Sequence, residues 1–143
     1  MPKVDFYLIP ESSKQEQFRF ASRLLEKAYH QNHQVYVHVA NAADAHQLND
    51  QLWTFRDISF VPHGLVGEKL ESTPPIQIGY DNNSGIHQDI LLNLSQGIPN
   101  DYATFNRVIE VVFNDPQTRQ AARGRYKQYQ SEGCEIETHD LRK

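Results

Sequence analysis

The sequence predicts an α/β fold: one three-layer domain over residues 1–143, with a mostly parallel central sheet and helices on both faces. Two observations support this prediction. The first third of the chain alternates short apolar strand patterns with amphipathic helix patterns, which is the order that parallel sheets require. Further β-branched segments then precede one late helix, so the same sheet is expected to continue.

The first half of the chain supplies two strands and two helices. A short apolar strand over residues 4–9 ends at Pro10. Ser12 or Ser13 caps a helix over residues 14–31, whose apolar side chains recur at three- and four-residue spacing. Valine alternates through a second strand, 34–40, and Asn41 caps a helix that extends to about Trp53.

The second half supplies the remaining strands and the late helix. Strands are predicted at 58–61, 76–80, 89–94 and 107–113, with a loop at 64–75 and a turn at 82–85. Pro116 begins a helix over 116–130, because proline is tolerated in the first helical turn. Gly133 ends this helix, and residues 134–138 form a last edge strand.

Composition excludes several classes of protein. The chain is 38% hydrophobic and 22% charged, as in ordinary globular proteins. Its one cysteine, Cys134, excludes an intramolecular disulfide and any cysteine-rich metal site, and is interpreted as a structural residue. No segment has the length and apolar character of a membrane helix, and the N-terminus lacks a secretory pattern. We therefore expect a cytoplasmic protein without a membrane partner.

Charge is distributed unevenly along the chain. The net charge is −4, which argues against a surface that grips DNA over its whole extent. The late helix nevertheless holds four basic residues and no acid: Arg119, Arg123, Arg125 and Lys127. One cationic segment therefore lies on an otherwise acidic protein.

Motifs for nucleotide chemistry are missing from the sequence. There is no G-x-x-x-x-G-K-[ST] phosphate loop and no G-x-S-x-G elbow, and the first strand is followed by Pro10-Glu11-Ser12-Ser13 instead of a glycine-rich turn. His30, His33 and His38 lack a carboxylate at ligand spacing and are interpreted as surface residues. The prediction is a Rossmann-like topology with no catalytic, cofactor or metal site; a small nucleotide- or phosphate-processing enzyme stays the alternative.

The late helix is the first candidate docking surface. Arg119, Arg123 and Lys127 are spaced four residues apart and fall along one face, with Tyr126 beside them. Such a stripe suits a short acidic peptide with an apolar anchor, because arginine grips carboxylates with a fixed fork. Two alternatives are open: a solvated helix face, or single-stranded nucleic acid stacked on Tyr126 or Tyr129.

An aromatic segment is the second candidate surface. Trp53, Phe55 and Phe60 lie within eight residues of one another, followed by Val61-Pro62-His63. Periodicity favours a place in the core, where aromatic side chains contribute large burial energies. Contact with a partner protein is the other interpretation, since tryptophan is a frequent interface anchor.

Several short segments, taken in order, are more specific than any one of them. They are Phe6-Tyr7-Leu8, Leu52-Trp53, Ser59-Phe60-Val61-Pro62-His63, Gly67-Glu68, Pro75-Ile76-Gln77-Ile78, Asp89-Ile90-Leu91 and Arg123-Gly124-Arg125-Tyr126-Lys127-Gln128-Tyr129. In this order, over nearly the full length, the chain resembles the chi subunit family of bacterial DNA polymerase III.

The resemblance implies a non-catalytic accessory subunit that acts in DNA replication. It implies one-to-one pairing with the psi subunit, which tethers such proteins to the clamp loader. It also implies binding of the acidic C-terminal tail of single-stranded-DNA-binding protein, so that contact with DNA is indirect. The psi-binding surface of such proteins is also compatible with a repair helicase.

The same resemblance assigns site residues. The tail-binding residues become Arg119, Arg123, Tyr126 and Lys127, and the psi-binding residues become Trp53, Phe60, Val61, Pro62 and His63. Three departures from the family pattern concern the tail site. Arg119 stands where the family carries lysine, a further family arginine lies near the position of Gln130, and residues 137–143 match poorly.

Overall fold

The predicted α/β fold is confirmed by a computed structural model, which describes residues 2–54, 63–65, 74–80 and 88–142. These ranges contain β1 (Lys3–Leu8), α1 (Lys14–His30), β2 (Val35–His38), α2 (Ala42–Thr54), β3 (His63–Leu65), β4 (Ile76–Gly79), β5 (Ile90–Asn93), β6 (Arg107–Val112), α3 (Pro116–Ser131) and β7 (Glu135–Asp140). A short 3-10 helix, Tyr102–Thr104, lies between β5 and β6. None of the helices in the described ranges is long and apolar enough to cross a bilayer.

The strands form one sheet in the order β3-β4-β2-β5-β6-β1-β7, and each adjacent pair is parallel. The prediction of a mostly parallel sheet is therefore confirmed. β1 lies between β6 and β7, so that Leu8 is opposite both Val112 and Asp140. Because these three strands are parallel, the segments that follow them meet at one edge of the sheet, which we call the carboxyl edge.

The helices cover opposite faces of the sheet. α1 and α2 bury Phe18, Leu25 and Leu48 against one face, which also contains Val37. On the other face, α3 buries Ala122 and Tyr129 against alternating strand residues, including Phe6, Val108 and Val112. Alternation along each strand separates the two cores, because successive side chains point to opposite faces. The three-layer arrangement follows from this separation.

Local boundaries differ from the predictions at a few places. The predicted loop 64–75 was wrong at its start, because Gly64 and Leu65 belong to β3, which pairs with Gln77 and Ile78 of β4. A three-residue edge strand is too short to show an alternating pattern in the sequence. The last strand extends to Asp140, further than predicted. The predicted strand 58–61 and the predicted turn 82–85 lie outside the described residues.

Candidate functional site

A groove lies along one side of α3, between that helix and the strands beneath it. α3 begins after Asp115, whose carboxylate accepts a hydrogen bond from the Thr118 amide at 3.0 Å, and Pro116 occupies the first helical turn. The groove has a volume of about 210 Å³ and is open to solvent. Its walls and floor consist of Phe6, Leu8, Val112, Arg119, Ala122, Arg123, Tyr126, Thr138 and Arg142. We call this feature the α3 groove.

The floor of the α3 groove is apolar. Phe6 and Leu8 of β1 and Val112 of β6 contribute it from adjacent parallel strands. The Tyr126 ring packs on Phe6 with 5.5 Å between ring centroids, so that the helix wall and the floor are continuous. An apolar side chain of a ligand that enters the groove would therefore leave water.

Cationic side chains surround this apolar floor. Arg119 and Arg123 lie one helical turn apart on α3, as their spacing predicted. Arg142 follows β7 and lines the groove together with them. Lys127 is exposed but does not line the groove, because side chains four residues apart drift by about 40° around a helix of 3.6 residues per turn. Lys127 therefore lies about 80° around α3 from Arg119. Three arginines thus face a small apolar cavity.

Arg142 is the charged groove residue that reasoning from the sequence missed, and the uncharged ones are Phe6, Leu8, Val112, Ala122 and Thr138. α3 starts at the carboxyl edge of the sheet, and β7 ends there, because the strand and the preceding helix run in opposite directions. A residue just beyond β7 therefore lies beside the first turns of α3. Two facts would have predicted the position of Arg142: that the last strand is parallel to β1, and that this strand ends at Asp140.

Arg125 is the fourth basic residue of α3, and it points inward. Its side chain is 6% exposed, and its Nε donates to Glu110 Oε1 at 3.0 Å. Glu110 is fully buried and accepts two further hydrogen bonds at Oε2, from the Tyr129 hydroxyl at 2.6 Å and from Asn93 Nδ2 at 2.9 Å. We call these four residues the Glu110 network. The cationic surface of α3 therefore consists of Arg119, Arg123 and Lys127 only.

Burial controls the protonation of the Glu110 network. Burial raises the pKa of Glu110, whereas the Arg125 charge and the hydrogen bonds from Tyr129 and Asn93 oppose that rise. Burial and the adjacent carboxylate raise the pKa of the Tyr129 phenol, so this hydroxyl stays protonated and donates to Glu110. The network fastens α3 to β5 and β6, and thereby holds the helix wall of the groove in place.

A second candidate surface lies at the end of α2, where Trp53 is in the last turn of the helix. The indole is 55% exposed, so its interpretation as a core residue was wrong. It packs on the His63 ring of β3 with 4.3 Å between ring centroids, and His63 itself is 6% exposed. The fold therefore brings two of the predicted psi-binding residues into contact, with the Trp53 ring exposed and the His63 ring buried beneath it. Phe60, Val61 and Pro62 lie outside the described residues.

The usual ligand position of open α/β sheets is occupied by the chain itself. At the carboxyl edge between β1 and β6, the Asn114 amide donates to the Glu11 carbonyl at 2.7 Å. The first turn of α1 is capped by the Ser13 hydroxyl, and that of α3 by the Asp115 carboxylate. A carboxylate at the start of α3 takes the place that a phosphate would need. These contacts argue against nucleotide binding at this edge.

One group of side chains in the described ranges has cation-ligand chemistry: Asp5, Glu137 and His139. His139 Nε2 lies 3.0 Å from both Asp5 Oδ1 and Glu137 Oε2, and Arg107 Nε donates to Asp5 Oδ2 at 2.7 Å. Burial alone would raise the pKa of Asp5, but the hydrogen bonds from His139 and Arg107 lower it below its ordinary value. The guanidinium already supplies a positive charge to Asp5, and the group is interpreted as a clamp between β1 and β7.

Comparison with known proteins gives one consistent result. The family model of the DNA polymerase III chi subunit, HolC, matches residues 1–137. The DNA polymerase III subunit chi of Pseudomonas aeruginosa is 39% identical over 141 residues, which cover 99% of this chain and 98% of that protein. The proteins of the same name from Haemophilus influenzae and Escherichia coli are 28% and 26% identical, each over 96% of this chain and over 96% and 97% of their own lengths.

Proposed function

This chain belongs to the DNA polymerase III chi subunit family, and we propose that it joins the clamp loader to single-stranded DNA coated with its binding protein. Members of the family are non-catalytic accessory subunits of the replicative polymerase. The proposed role has two contacts: the psi subunit of the clamp loader, in a one-to-one complex, and the acidic C-terminal tail of single-stranded-DNA-binding protein. Contact with DNA is indirect, and the role belongs to the cytoplasm.

The α3 groove is the observation that carries the proposed tail contact. Its apolar floor of Phe6, Leu8 and Val112 is flanked by the guanidinium groups of Arg119, Arg123 and Arg142. An acidic peptide with an apolar end matches this combination of charge and hydrophobicity. The volume of about 210 Å³ suits one or two side chains and not a folded domain.

Two physical effects contribute to binding of the tail: one raises the association rate, and the other lengthens the lifetime of the complex. Long-range attraction between the arginines and the acidic tail raises the association rate and is screened by salt. Burial of the apolar end in the α3 groove then prolongs the bound state. Affinity for one tail is expected to be modest, because a disordered segment loses conformational freedom on binding. Several tails on one oligomeric binding protein compensate through avidity.

The proposed tail contact predicts salt-sensitive peptide binding. A fluorescent peptide with the sequence of the cognate tail is titrated with the protein at about 0.05 M and about 0.5 M salt, which shortens the Debye length roughly threefold. We expect the affinity to fall at least about tenfold between these conditions, because the surface arginines are screened.

Two controls accompany this titration. A peptide of the same composition in scrambled order, with an acidic residue last, tests whether the apolar end is recognised. A single-stranded oligonucleotide tests direct binding of nucleic acid, which the proposal does not expect. Absence of tail binding at low salt, or equal binding of the scrambled peptide, would contradict the proposed tail contact.

Trp53 is the observation that supports the proposed psi contact. A ring that is 55% exposed and rests on the buried His63 is held in one orientation at the surface. Such an anchor loses little conformational freedom when a partner covers it. Phe60, Val61 and Pro62 complete the proposed surface by their positions in the sequence and stay a prediction from the family resemblance.

Trp53→Ala is expected to weaken the complex with the psi subunit by about 30-fold or more, since truncating a central tryptophan commonly costs at least ~2 kcal/mol of binding energy. Calorimetric titration of psi measures this change. Tyr80→Ala is the matched control, because Tyr80 is a second exposed aromatic residue (46%) and follows β4 at the carboxyl edge, whereas Trp53 is near the opposite edge. Equal affinities of the two variants for psi would refute the assignment of Trp53.

A further inference from the structure

On the side of the α3 groove opposite the helix, the positively charged lining residue is Arg142. Arg142 follows β7, and the backbone next to it is tied to the sheet, since the Leu141 amide donates to the Leu8 carbonyl at 2.8 Å. The Arg142 amide donates to Asp140 Oδ1 at 3.0 Å, which turns the chain locally. The Arg142 side chain therefore starts from a defined position beside the floor of the groove.

Asp140 also orients the guanidinium of Arg142. Nε donates to Asp140 Oδ1 at 3.0 Å, and Nη2 donates to Asp140 Oδ2 at 2.9 Å, which is a two-pronged contact along one side of the planar group. This contact uses two of the five N–H donors of an arginine. The remaining donors are available to a second carboxylate, and less side-chain freedom is lost when one binds.

We propose that Arg142 binds the terminal carboxylate of the peptide that occupies the α3 groove, an inference that rests on the proposed tail contact. The last residue of such a peptide places its apolar side chain on Phe6, Leu8 and Val112. Its α-carboxylate, only two bonds from that side chain, then lies at the rim between α3 and the end of β7. Arg123 contacts the carboxylate from the helix wall and Arg142 from the strand wall.

Contact from two walls gives the groove a specificity that a cationic helix alone lacks. A stripe of arginines attracts acidic side chains anywhere along a peptide. Two guanidinium groups beside one apolar cavity, with that of Arg142 oriented by Asp140, favour a carboxylate attached to an apolar residue. The α3 groove is thereby selective for chain ends over internal acidic segments. Arg142 takes the role of a specificity-determining residue supplied from outside α3.

The test compares Arg142→Ala with the unchanged protein, using the tail peptide with a free carboxylate and the same peptide with a C-terminal amide. The unchanged protein is expected to bind the free acid about tenfold more tightly than the amide, since hydrogen bonds between charged groups are lost with the amide. Arg142→Ala is expected to bind the free acid about 5–10-fold more weakly and to bind the amide with nearly unchanged affinity. Arg142→Lys, which keeps the charge without the fork, should fall between them.

Arg23→Ala is the matched control for charge, because Arg23 is exposed on α1, on the other face of the sheet. Thermal unfolding of each variant verifies that the fold is retained. Equal weakening of both peptides by Arg142→Ala would overturn recognition of the terminal carboxylate, and so would a free-acid affinity equal to that of Arg23→Ala. Failure of the unchanged protein to bind either peptide would instead remove the proposed tail contact on which the inference rests.

Discussion

Arg125→Met is expected to lower the free energy of unfolding by about 3–5 kcal/mol, the range for breaking a buried ion pair by removing one partner. Glu110 has no exposed surface, and the substitution leaves its carboxylate facing only Tyr129 and Asn93. A buried charge without a counter-charge is strongly destabilised in a medium of low polarity. Denaturation by urea, followed by circular dichroism, measures the change.

A paired variant separates the charge from the volume of the side chain. Glu110→Gln combined with Arg125→Met removes both charges and keeps an oxygen that accepts the Tyr129 hydrogen bond. This combination is expected to unfold at higher urea concentration than Arg125→Met alone, although it carries one more substitution. If Arg125→Met costs less than about 1 kcal/mol, or if the paired variant is the less stable one, Glu110 does not depend on the Arg125 charge.

The Glu110 network also connects stability with the α3 groove. Arg125 and Tyr129 lie on the buried side of α3, and Arg123 and Tyr126 lie on the side of the groove. Loss of the Arg125 contact weakens the attachment of α3 to Glu110 of β6, and we expect the two groove residues on the same helix to shift with it. Arg125→Met should therefore weaken binding of the tail peptide through the fold, even though Arg125 does not line the groove.

Arg123→Ala is expected to reduce the affinity for the tail peptide by about 10–100-fold while the fold is retained. A hydrogen bond between charged groups contributes roughly 1.5–3 kcal/mol, which corresponds to this range. Arg123 is exposed on α3 and lines the groove beside its apolar floor. Fluorescence anisotropy of the labelled peptide gives the affinity, and the urea midpoint should stay close to that of the unchanged protein.

Two further variants isolate the geometry of Arg123 from its charge. Arg123→Lys keeps the positive charge but loses the planar fork, so an affinity between those of Arg123→Ala and the unchanged protein is expected. Lys127→Ala removes a cation from the same stripe without touching the groove and should weaken binding only slightly, mainly at low salt. If Arg123→Ala and Lys127→Ala have the same effect, α3 acts as a diffuse cationic surface and the groove is not the binding site.

The architecture could be predicted from local patterns. Alternating valines identified β2, three- and four-residue spacing identified the buried side of α1, and Pro116 and Gly133 bounded α3. Each of these signals lies within one element, and each reports which side of that element meets the core. β3 was not predicted, because a strand of three residues at a sheet edge is too short to show an alternating pattern of apolar residues.

Patterns within single elements were enough to predict the fold class, the late cationic helix and the common face of Arg119 and Arg123, because periodicity within a helix defines its faces. Which cations reach solvent, and which elements line the same cavity, depends on how the elements pack against one another. Arg125 turned inward because Glu110 of β6 lies beneath it, and Arg142 joined the groove because β7 pairs with β1 and ends beside the start of α3. These outcomes depend on contacts between residues far apart in the chain, which no pattern within one element contains.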